Sequence, residues 1–408
     1  MRVLILLIMS SMFLMSSSAS GATNLKEAFS KGSLKGEIRT YYFTRDFDGD
    51  TQDREDMAVG TMLFYHTDPL YGVSAGLTFA SGNDLASDDD KAVYGLLQRG
   101  DDGDHESFTR MQEYYIQGEW YNTTIKYGAQ KIGTPFMNPH DIRLMPKTYK
   151  GLSIVNRSVE NLTLSGYYIT GFMGWSDDEY MPIMDSVGSG GDDNPLLSFG
   201  AQYKFPVEAV NLKAEAWQYH MDDVFNSTYL KGTIGKTFND YALHITPSYL
   251  IQKSVGDDVG GDFDTDQYGF NAGVDAFGFS VTGYYAYTGD DDLFVPWGDG
   301  KVLIQQIMAS GRAEENAYAL KVNYDFGKLG LKGLSAYVFH AIYDTPESGS
   351  NASSDINETD FNIQYSFSGA LDGVSVRVRY AMVDFDEGED FNDFRVYVKY
   401  TFAIGSGK

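Results

Sequence analysis

Six basic residues fall in two groups near the two ends of the chain, and their side chains could bind carboxylate groups. The six are Arg39, Arg45, Arg377, Arg379, Arg395 and Lys399. A guanidinium group offers a planar fork of N–H donors that matches a carboxylate, whereas an ammonium group offers a point charge. A row of such cations could pass a carboxylate from site to site if each contact were weak enough to release it. The sequence therefore favours a row of successive carboxylate-binding sites, which we call the basic ladder.

These cations lie on segments in which apolar and polar residues alternate. The last segment, 391–402, has a largely aromatic and β-branched face made of Phe394, Val396, Val398, Tyr400 and Phe402. Arg395 and Lys399 fall on its opposite face. Period-two alternation is typical of a β-strand with two different environments on its two faces. The sequence therefore predicts that the cations share the polar face of a sheet.

About eighteen segments of this kind, each of about ten residues, follow one another from 33–45 to 391–402, with alternately short and long connections. A water-soluble β-sandwich also alternates. Here, however, aromatic residues lie near strand ends and charges lie in mid-strand, which is typical of a transmembrane antiparallel β-barrel with a wet lumen. The first and last strands of a closed barrel adjoin. We therefore expect 391–402 to pair antiparallel with 33–45, which would place the six cations on one wall.

The connection 132–149 is the predicted constriction of this channel. It contains three prolines, among them Pro135 and Pro146, and it also carries Asp141, Arg143 and Tyr149. Proline restricts the backbone, which suits a loop folded into the lumen. A flexible outer loop would more often be rich in Gly and Ser. We expect this loop to narrow the channel near mid-height, and 83–108 is the next candidate.

Composition and the N-terminus indicate an exported protein. Arg2, a mostly apolar stretch over 3–15 and a small-residue site at Ser20-Gly21-Ala22 are typical of a secretory signal peptide. We expect residues 1–22 to be removed and residues 23–408 to form one barrel domain. The chain carries 57 acidic against 31 basic residues, which argues against a nucleic-acid partner. Cysteine is absent, so disulfides cannot stabilise the fold.

No metal site, cofactor or catalytic site is predicted. The six histidines are scattered, and acidic runs such as Asp88-Asp89-Asp90 lack the spacing of an EF-hand loop. We interpret these runs as solvated surface charge that divalent ions could bridge to lipopolysaccharide. Three other functions stay open: a general cation-selective porin, a barrel-type hydrolase with clustered His and Asp or Ser, and a surface adhesin.

Several stretches resemble the OprD-type outer-membrane porins. The first strand carries Arg39-Thr-Tyr-Tyr-Phe-Thr-Arg45, and Gly128-Ala-Gln-Lys precedes Thr134-Pro135. Arg143-Leu-Met-Pro-Lys-Thr-Tyr-Lys-Gly151 is similar to an Arg-Leu-Leu-Pro-x-x-Phe-x-Gly element of that family, with Met145 and Tyr149 in place of Leu and Phe. Val159 to Leu164 continues the match. The likeness spans the whole chain beyond the signal peptide.

This resemblance implies a barrel of about eighteen strands in the bacterial outer membrane, surrounded by lipid and lipopolysaccharide and inserted by the barrel-assembly machinery. It implies a monomer, with a trimer as the alternative. It also implies an eyelet formed by an inward loop, and a basic ladder that admits small carboxylate-bearing solutes such as amino acids or organic acids. Position by position, the six cations named first would form that ladder. The strong overall acidity leaves ion selectivity open.

Overall fold

Long antiparallel strands dominate the chain. The computed structural model describes residues 21–85, 87, 91–100, 105–188 and 193–404, so the expected signal peptide, residues 1–22, falls almost wholly outside the described residues. Eighteen long strands are found in the described part. They are β1 (Ser33–Phe47), β2 (Arg54–His66), β3 (Val73–Asp84), β4 (Phe108–Trp120), β5 (Thr123–Gln130), β6 (Thr148–Asn156), β7 (Leu162–Met173), β8 (Leu196–Phe205), β9 (Asn211–Met221), β10 (Phe225–Phe238), β11 (Tyr241–Ser254), β12 (Asp264–Ala276), β13 (Phe279–Thr288), β14 (Asn316–Asp325), β15 (Leu334–Asp344), β16 (Ile356–Ser366), β17 (Val374–Phe385) and β18 (Phe391–Ile404).

Smaller elements accompany the barrel. A short helix, α1 (Leu25–Ser30), is followed by two-residue strands at Gln98–Arg99, His105–Glu106 and Met181–Pro182 and by 3-10 turns at Met184–Ser186, Phe326–Leu329 and Gly369–Leu371. Asn24 caps α1 by accepting a hydrogen bond from the Glu27 N–H. Among the described residues, no helix is long and apolar enough to cross a membrane.

The barrel closes between its first and last strands. β1 pairs antiparallel with β18 from Leu34 opposite Ile404 to Phe47 opposite Phe391. Each of the other long strands pairs with its neighbours along the chain, so the sheet has no open long edge among the described residues. Closure satisfies the backbone N–H and C=O groups that an edge strand would expose. The predicted pairing of 391–402 with 33–45 is confirmed.

The barrel has an apolar outer face and a polar inner face. On β15 and β16, Val338, Phe361 and Ile363 point outward and are 43–47% exposed. Asp360, next to Phe361 on β16, and Arg379 of β17 point inward and are buried. A water-soluble barrel would bury its apolar face, so this arrangement indicates an outer face made for lipid.

Tight turns join the strands at one end of the barrel. Tyr121 and Asn122 between β4 and β5 have φ values of 51° and 57°. Positive φ at both central residues is the geometry of a type I′ hairpin turn, which matches the twist of the two strands. Phe277 and Gly278 repeat it between β12 and β13, with φ values of 54° and 90°. The long connections consequently lie at the other end of the barrel.

The hydrophobic core lies inside the barrel because loops fold into it. The predicted inward loop 132–149 is confirmed: Phe136 and Met137 are buried in a cluster with Tyr219 of β9. The loop 289–315 also enters the lumen and contributes Trp297, which is 1% exposed. This second inward loop was not expected. Leu96 of the connection 85–107 packs in a separate cluster that covers the constriction loop.

Candidate solute pathway through the barrel

An ion pair between a buried arginine and a partly exposed aspartate fixes the constriction loop to the barrel wall. Arg39 of β1 donates from Nη1 and Nη2 to the two carboxylate oxygens of Asp141, over 2.5 and 2.9 Å. Arg39 Nη1 also donates to the carbonyl oxygens of Arg143 and Leu144, over 3.3 and 3.1 Å. The Arg39 side chain is only 2% exposed, and Glu37 contacts its Nε. Arg39 therefore positions the loop and has little capacity left for a solute.

The remainder of the constriction loop packs against the wall through small and aromatic residues. A Cβ on Gly60 of β2 would lie 2.8 Å from Met145 Cε and 2.9 Å from Leu144 Cγ, so only glycine admits the loop this closely. On the other side of the lumen, the Phe136 ring stacks on Tyr219 with ring centroids 4.5 Å apart. The loop thus spans the barrel from β2 to β9.

Three further residues predicted for this loop hold it in place. Tyr149 is fully buried, and its hydroxyl lies 3.0 Å from the carbonyl oxygens of both Asn138 and Trp297. The Pro135 carbonyl accepts hydrogen bonds from the N–H groups of 299 and 300. The Pro146 carbonyl accepts one from Gln112 Nε2 at 2.8 Å. Pro135, Pro146 and Tyr149 are therefore scaffold residues.

The second inward loop is held by carboxylates on β16 and β18. Glu358 of β16 accepts hydrogen bonds from the N–H groups of Ile307 and Met308, over 2.9 and 2.7 Å. Gln306 donates from Nε2 to Asp393 Oδ1 of β18 at 2.8 Å. Its backbone N–H donates to Asp360 of β16 at 3.1 Å. Glu358 and Asp360 therefore bind the backbone of this loop, and Asp393 binds one of its side chains.

The two inward loops also contact each other. Asn138 Nδ2 donates to Asp299 Oδ2 at 2.9 Å, and His140 Nε2 lies 2.8 Å from Asp299 Oδ1. Because each loop braces the other, the opening at mid-height is bounded on two sides by ordered backbone.

The six predicted cations lie together on one wall, on β1, β17 and β18. Arg39 is opposite Lys399 in the strand register, and Arg379 is opposite Arg395. Arg45, nearer the long-loop end, donates from Nη2 to Asp393 at 2.9 Å. Arg395 shares that carboxylate at 2.5 Å and is 1% exposed. The spatial grouping follows the prediction, but Arg45 and Arg395 both pair with one buried aspartate, Asp393.

Only part of this row is open to solvent. The Lys399 side chain is 30% exposed, with Nζ 3.4 Å from Glu37 and 3.9 Å from Asp141. Arg377 is half-buried, and its Nε donates to Asn362 at 2.6 Å. Arg379 is 8% exposed and lies 4.0 Å from Asp360. Arg377 and Lys399 are thus the cations best placed to meet a solute.

Lys321 of β14 faces the same part of the lumen and did not enter the predicted row. Its Nζ lies over the rings of Tyr337 and Phe339, 4.1 and 5.2 Å from the centroids. It interacts electrostatically with Arg377 and Arg379. The alternation of β14 gives Lys321 an inward position, so the signal was present in the sequence. Its proximity to β17 depends on strand order, which alternation does not encode.

Two cations lie on the constriction loop itself. Arg143 donates from Nε to the Tyr94 carbonyl at 2.9 Å, and its guanidinium lies 5.1 Å from the Trp175 ring centroid. Lys147 Nζ lies 4.4 Å from the same centroid. Burial lowers the pKa of Lys147 to about 8, and the positive charge of Arg143 adds to this, while Asp299 opposes it. Lys147 was not predicted as a site residue.

Asp141 stays ionised in this setting. Burial alone would raise its pKa, but the charge and hydrogen bonds of Arg39, with the nearby Lys399, hold the pKa of Asp141 below its ordinary value. An ionised Asp141 is needed for the bidentate pair with Arg39. The lumen therefore contains a charged anchor at mid-height, flanked by the partly exposed Lys399.

Comparisons with known proteins agree with this architecture. A family model described as "outer membrane porin, OprD family" matches residues 27–404. The crystal structure of Pseudomonas aeruginosa OccK9 (OpdG) is similar with a TM-score of 0.85 and 22% identity, over 92% of this chain and 100% of that one. The structure of Pseudomonas aeruginosa OpdK with vanillate gives 0.82 and 20%, over 92% and 100%. Acinetobacter baumannii OccAB2 gives 0.82 and 20%, over 93% and 100%.

No curated protein sequence matches the chain. At these low identities, the likeness to the three crystal structures establishes the fold alone.

Proposed function

Because this chain belongs to the OprD family of outer-membrane porins, we propose that it is a channel of the bacterial outer membrane that favours small solutes carrying a carboxylate. Porins are non-enzymatic channels, so the chemistry is binding and release. Long connections of such barrels lie outside the cell and short turns face the periplasm. A solute would enter at the long-loop end, pass the constriction loop and then meet Arg377 and Lys399.

The observation that carries this proposal is a pair of cations without a carboxylate partner. Among the described residues, no carboxylate lies within 4.0 Å of Arg377 or Lys321, although both point into the lumen. An unpaired cation at the edge of a water-filled channel attracts an anionic group. Arg377 can offer a guanidinium fork, and Lys321 a point charge.

Release is as important as binding in a channel. Arg379 follows Arg377 on the same face, about 6.6–6.8 Å further along β17 at the usual strand rise. Asp360 lies 4.0 Å from Arg379 and competes with a solute carboxylate for it. Asp360 therefore weakens the binding of a carboxylate to Arg379, and Arg379 is close enough to Arg377 to receive a carboxylate from it. A carboxylate could then move along the row without being trapped.

One of the similar proteins supports the choice of solute. The OpdK structure was solved with vanillate, which is an aromatic carboxylate. In this chain, the lumen near Lys321 carries Tyr337 and Phe339 beside the cation. An aromatic ring and a cation together suit an apolar solute with one carboxylate group.

A general cation-selective porin is the second candidate, because the chain carries a formal net charge of −26. Reversal potentials across planar bilayers with a salt gradient distinguish the two. Anion preference, with current block by added carboxylates, supports the proposal. Strong cation preference without such block would favour the general porin. A neutral alcohol of the same size as the carboxylate serves as the control solute.

Maturation and assembly form a further part of the proposal. We expect cleavage after Ala22, and N-terminal sequencing of the protein purified from membranes should begin at Thr23. We also expect the barrel-assembly machinery to insert the protein as a monomer. A mass near three times that of one chain in mild detergent would favour the trimer.

A further inference from the structure

A buried histidine beneath the long connection between β3 and β4 lacks the partners that its burial demands. The His105 side chain is 2% exposed, and neither ring nitrogen has a hydrogen-bond partner among the described residues. Buried imidazole nitrogens normally bond to a polar group or a metal ion.

A carboxylate with one unpartnered oxygen faces this histidine. The Asp56 side chain of β2 is 1% exposed, and its Oδ2 has no partner within the described part of the chain. Its Oδ1 lies 3.7 Å from His105 Nδ1, which is too long for a hydrogen bond. Asp84, at the end of β3, completes a group of three in which one ligand atom of each residue lies within 4.8 Å of the others.

We propose that Asp56, Asp84 and His105 form a binding site for a divalent transition-metal ion, with Zn²⁺ as the best match. Two ligands of a tetrahedral zinc ion, with bonds of about 2.0–2.1 Å, lie about 3.3–3.4 Å apart. The 3.7 Å between His105 and Asp56 is close to that value. A nitrogen ligand favours zinc over Ca²⁺ and Mg²⁺, which prefer oxygen. Water would complete the coordination.

The groups around the two carboxylates orient them for this role. The Ser87 hydroxyl donates to Asp56 Oδ1 at 2.5 Å, and the Ser87 N–H donates to Asp84 Oδ1 at 3.0 Å. One serine therefore fixes both carboxylates. Each carboxylate oxygen has two lone pairs, so Asp56 Oδ1 can accept from Ser87 and still bind an ion. Such outer hydrogen bonds are usual around metal ligands.

Metal binding here would stiffen the cover of the constriction. The same connection carries Tyr94, whose carbonyl accepts from Arg143, and Leu96, which packs with Leu144. An ion joining His105 to β2 and β3 would tie this connection to the barrel rim. The metal-bound channel should then show fewer current fluctuations than the metal-free one. This inference does not depend on which solute the channel carries.

The test uses the folded full-length protein in detergent, treated with chelator and titrated with Zn²⁺ by calorimetry and with Co²⁺ by visible absorption. We expect one tight equivalent of Zn²⁺ and the absorption bands of a tetrahedral Co²⁺ site. His105→Ala should weaken binding at least tenfold, and Asp84→Asn, an exposed position that leaves the core intact, should also weaken it. Zn²⁺ should raise the melting temperature of the wild type but not of His105→Ala.

His220→Ala is the matched control. His220 also lies beside aspartate, but both its ring nitrogens have partners, Asn226 and Asp222, at 2.8 Å. This variant should retain the tight site. Zn²⁺ binding that is unchanged in His105→Ala would assign the metal to the acidic loops and overturn the proposal. Absence of a tight equivalent in the wild type would overturn it as well.

Discussion

Arg39 holds both carboxylate oxygens of Asp141, a residue 102 positions later in the chain. This pair joins the first strand to the loop that narrows the barrel. The sequence placed Arg39 in the row of solute-binding cations, whereas its contacts make it the anchor of the constriction. An arginine inside a porin can therefore shape the channel by fixing a loop to the wall.

Removing the carboxylate should loosen the loop. Asp141→Ala removes the bidentate carboxylate partner of the buried Arg39 guanidinium, which then keeps only Glu37 and two loop carbonyl groups. We expect higher single-channel conductance, more current noise and weaker discrimination between solutes. Planar-bilayer recordings check this. Glu160→Gln, in an exposed turn, is the control, and a conductance equal to wild type in Asp141→Ala would show that other contacts suffice to hold the loop.

A methyl group on β2 should have the opposite effect. In Gly60→Ala, the new Cβ would meet Met145 Cε at 2.8 Å and Leu144 Cγ at 2.9 Å, so these side chains must move away from the wall. The loop then shifts towards the channel axis, and we expect a lower conductance. Gly166→Ala is the matched control because its Cβ would meet only Phe199 at 3.7 Å. Equal conductance in both variants would mean that the constriction loop moves along the wall and not towards the channel axis.

The cations should differ in what their loss does. Arg377→Ala should slow carboxylate flux several-fold and leave the flux of a neutral solute of equal size nearly unchanged, because Arg377 is half-buried and unpaired with carboxylate. Arg379→Ala should have a smaller effect on carboxylate flux, because the negative charge of Asp360 already offsets part of the positive charge of Arg379. Lysine at either position should give an intermediate loss.

Paired flux measurements in liposomes test this order. Arg395→Ala serves as the contrast: it removes one of the two arginines that pair with the buried Asp393, so it should lower thermal stability and slow both solutes alike. If Arg377→Ala also slows both solutes equally, Arg377 acts on the shape of the pore. The proposal that carboxylates pass from one cation of the row to the next would then be wrong.

The alternation of apolar and polar residues was sufficient to predict the strands, their inward faces and the pairing of β1 with β18. It could not predict which cations pair with carboxylates inside the barrel. Arg45 finds its partner Asp393 at a separation of 348 residues, and Arg39 finds Asp141 across the lumen. Such partners follow from barrel closure and loop entry, which depend on the whole chain.

The second inward loop illustrates a different limit. Prolines identified 132–149, but 289–315 carries a weaker signal: buried Trp297 and Leu303 lie in a stretch otherwise typical of an outer loop. Its entry into the lumen depends on Glu358, whose two oxygens accept loop N–H groups. A single inward carboxylate on a strand does not reveal that its role is to receive backbone from elsewhere.

Lys147 should make the channel sensitive to pH near 8. Burial lowers its pKa to about 8, so the side chain is about 90% charged at pH 7 and about 10% charged at pH 9. The folded protein favours the neutral lysine relative to the unfolded chain. Burying the charged lysine therefore costs most free energy below pH 8. The free energy of unfolding should rise as the pH increases from 8 towards the ordinary lysine pKa.

For transport, the same titration removes a positive charge beside the constriction, where Lys147 Nζ lies 4.4 Å from the Trp175 ring centroid. Anion preference and carboxylate flux should therefore fall between pH 7 and pH 9. In Lys147→Met both should be low and nearly constant over this interval, because the methionine keeps the apolar contact without the charge. Lys236→Met, on an exposed part of β10, should titrate like the wild type. Reversal potentials recorded at half-unit pH steps check this, and a fall in Lys147→Met equal to that of the wild type would assign the pH dependence to another group.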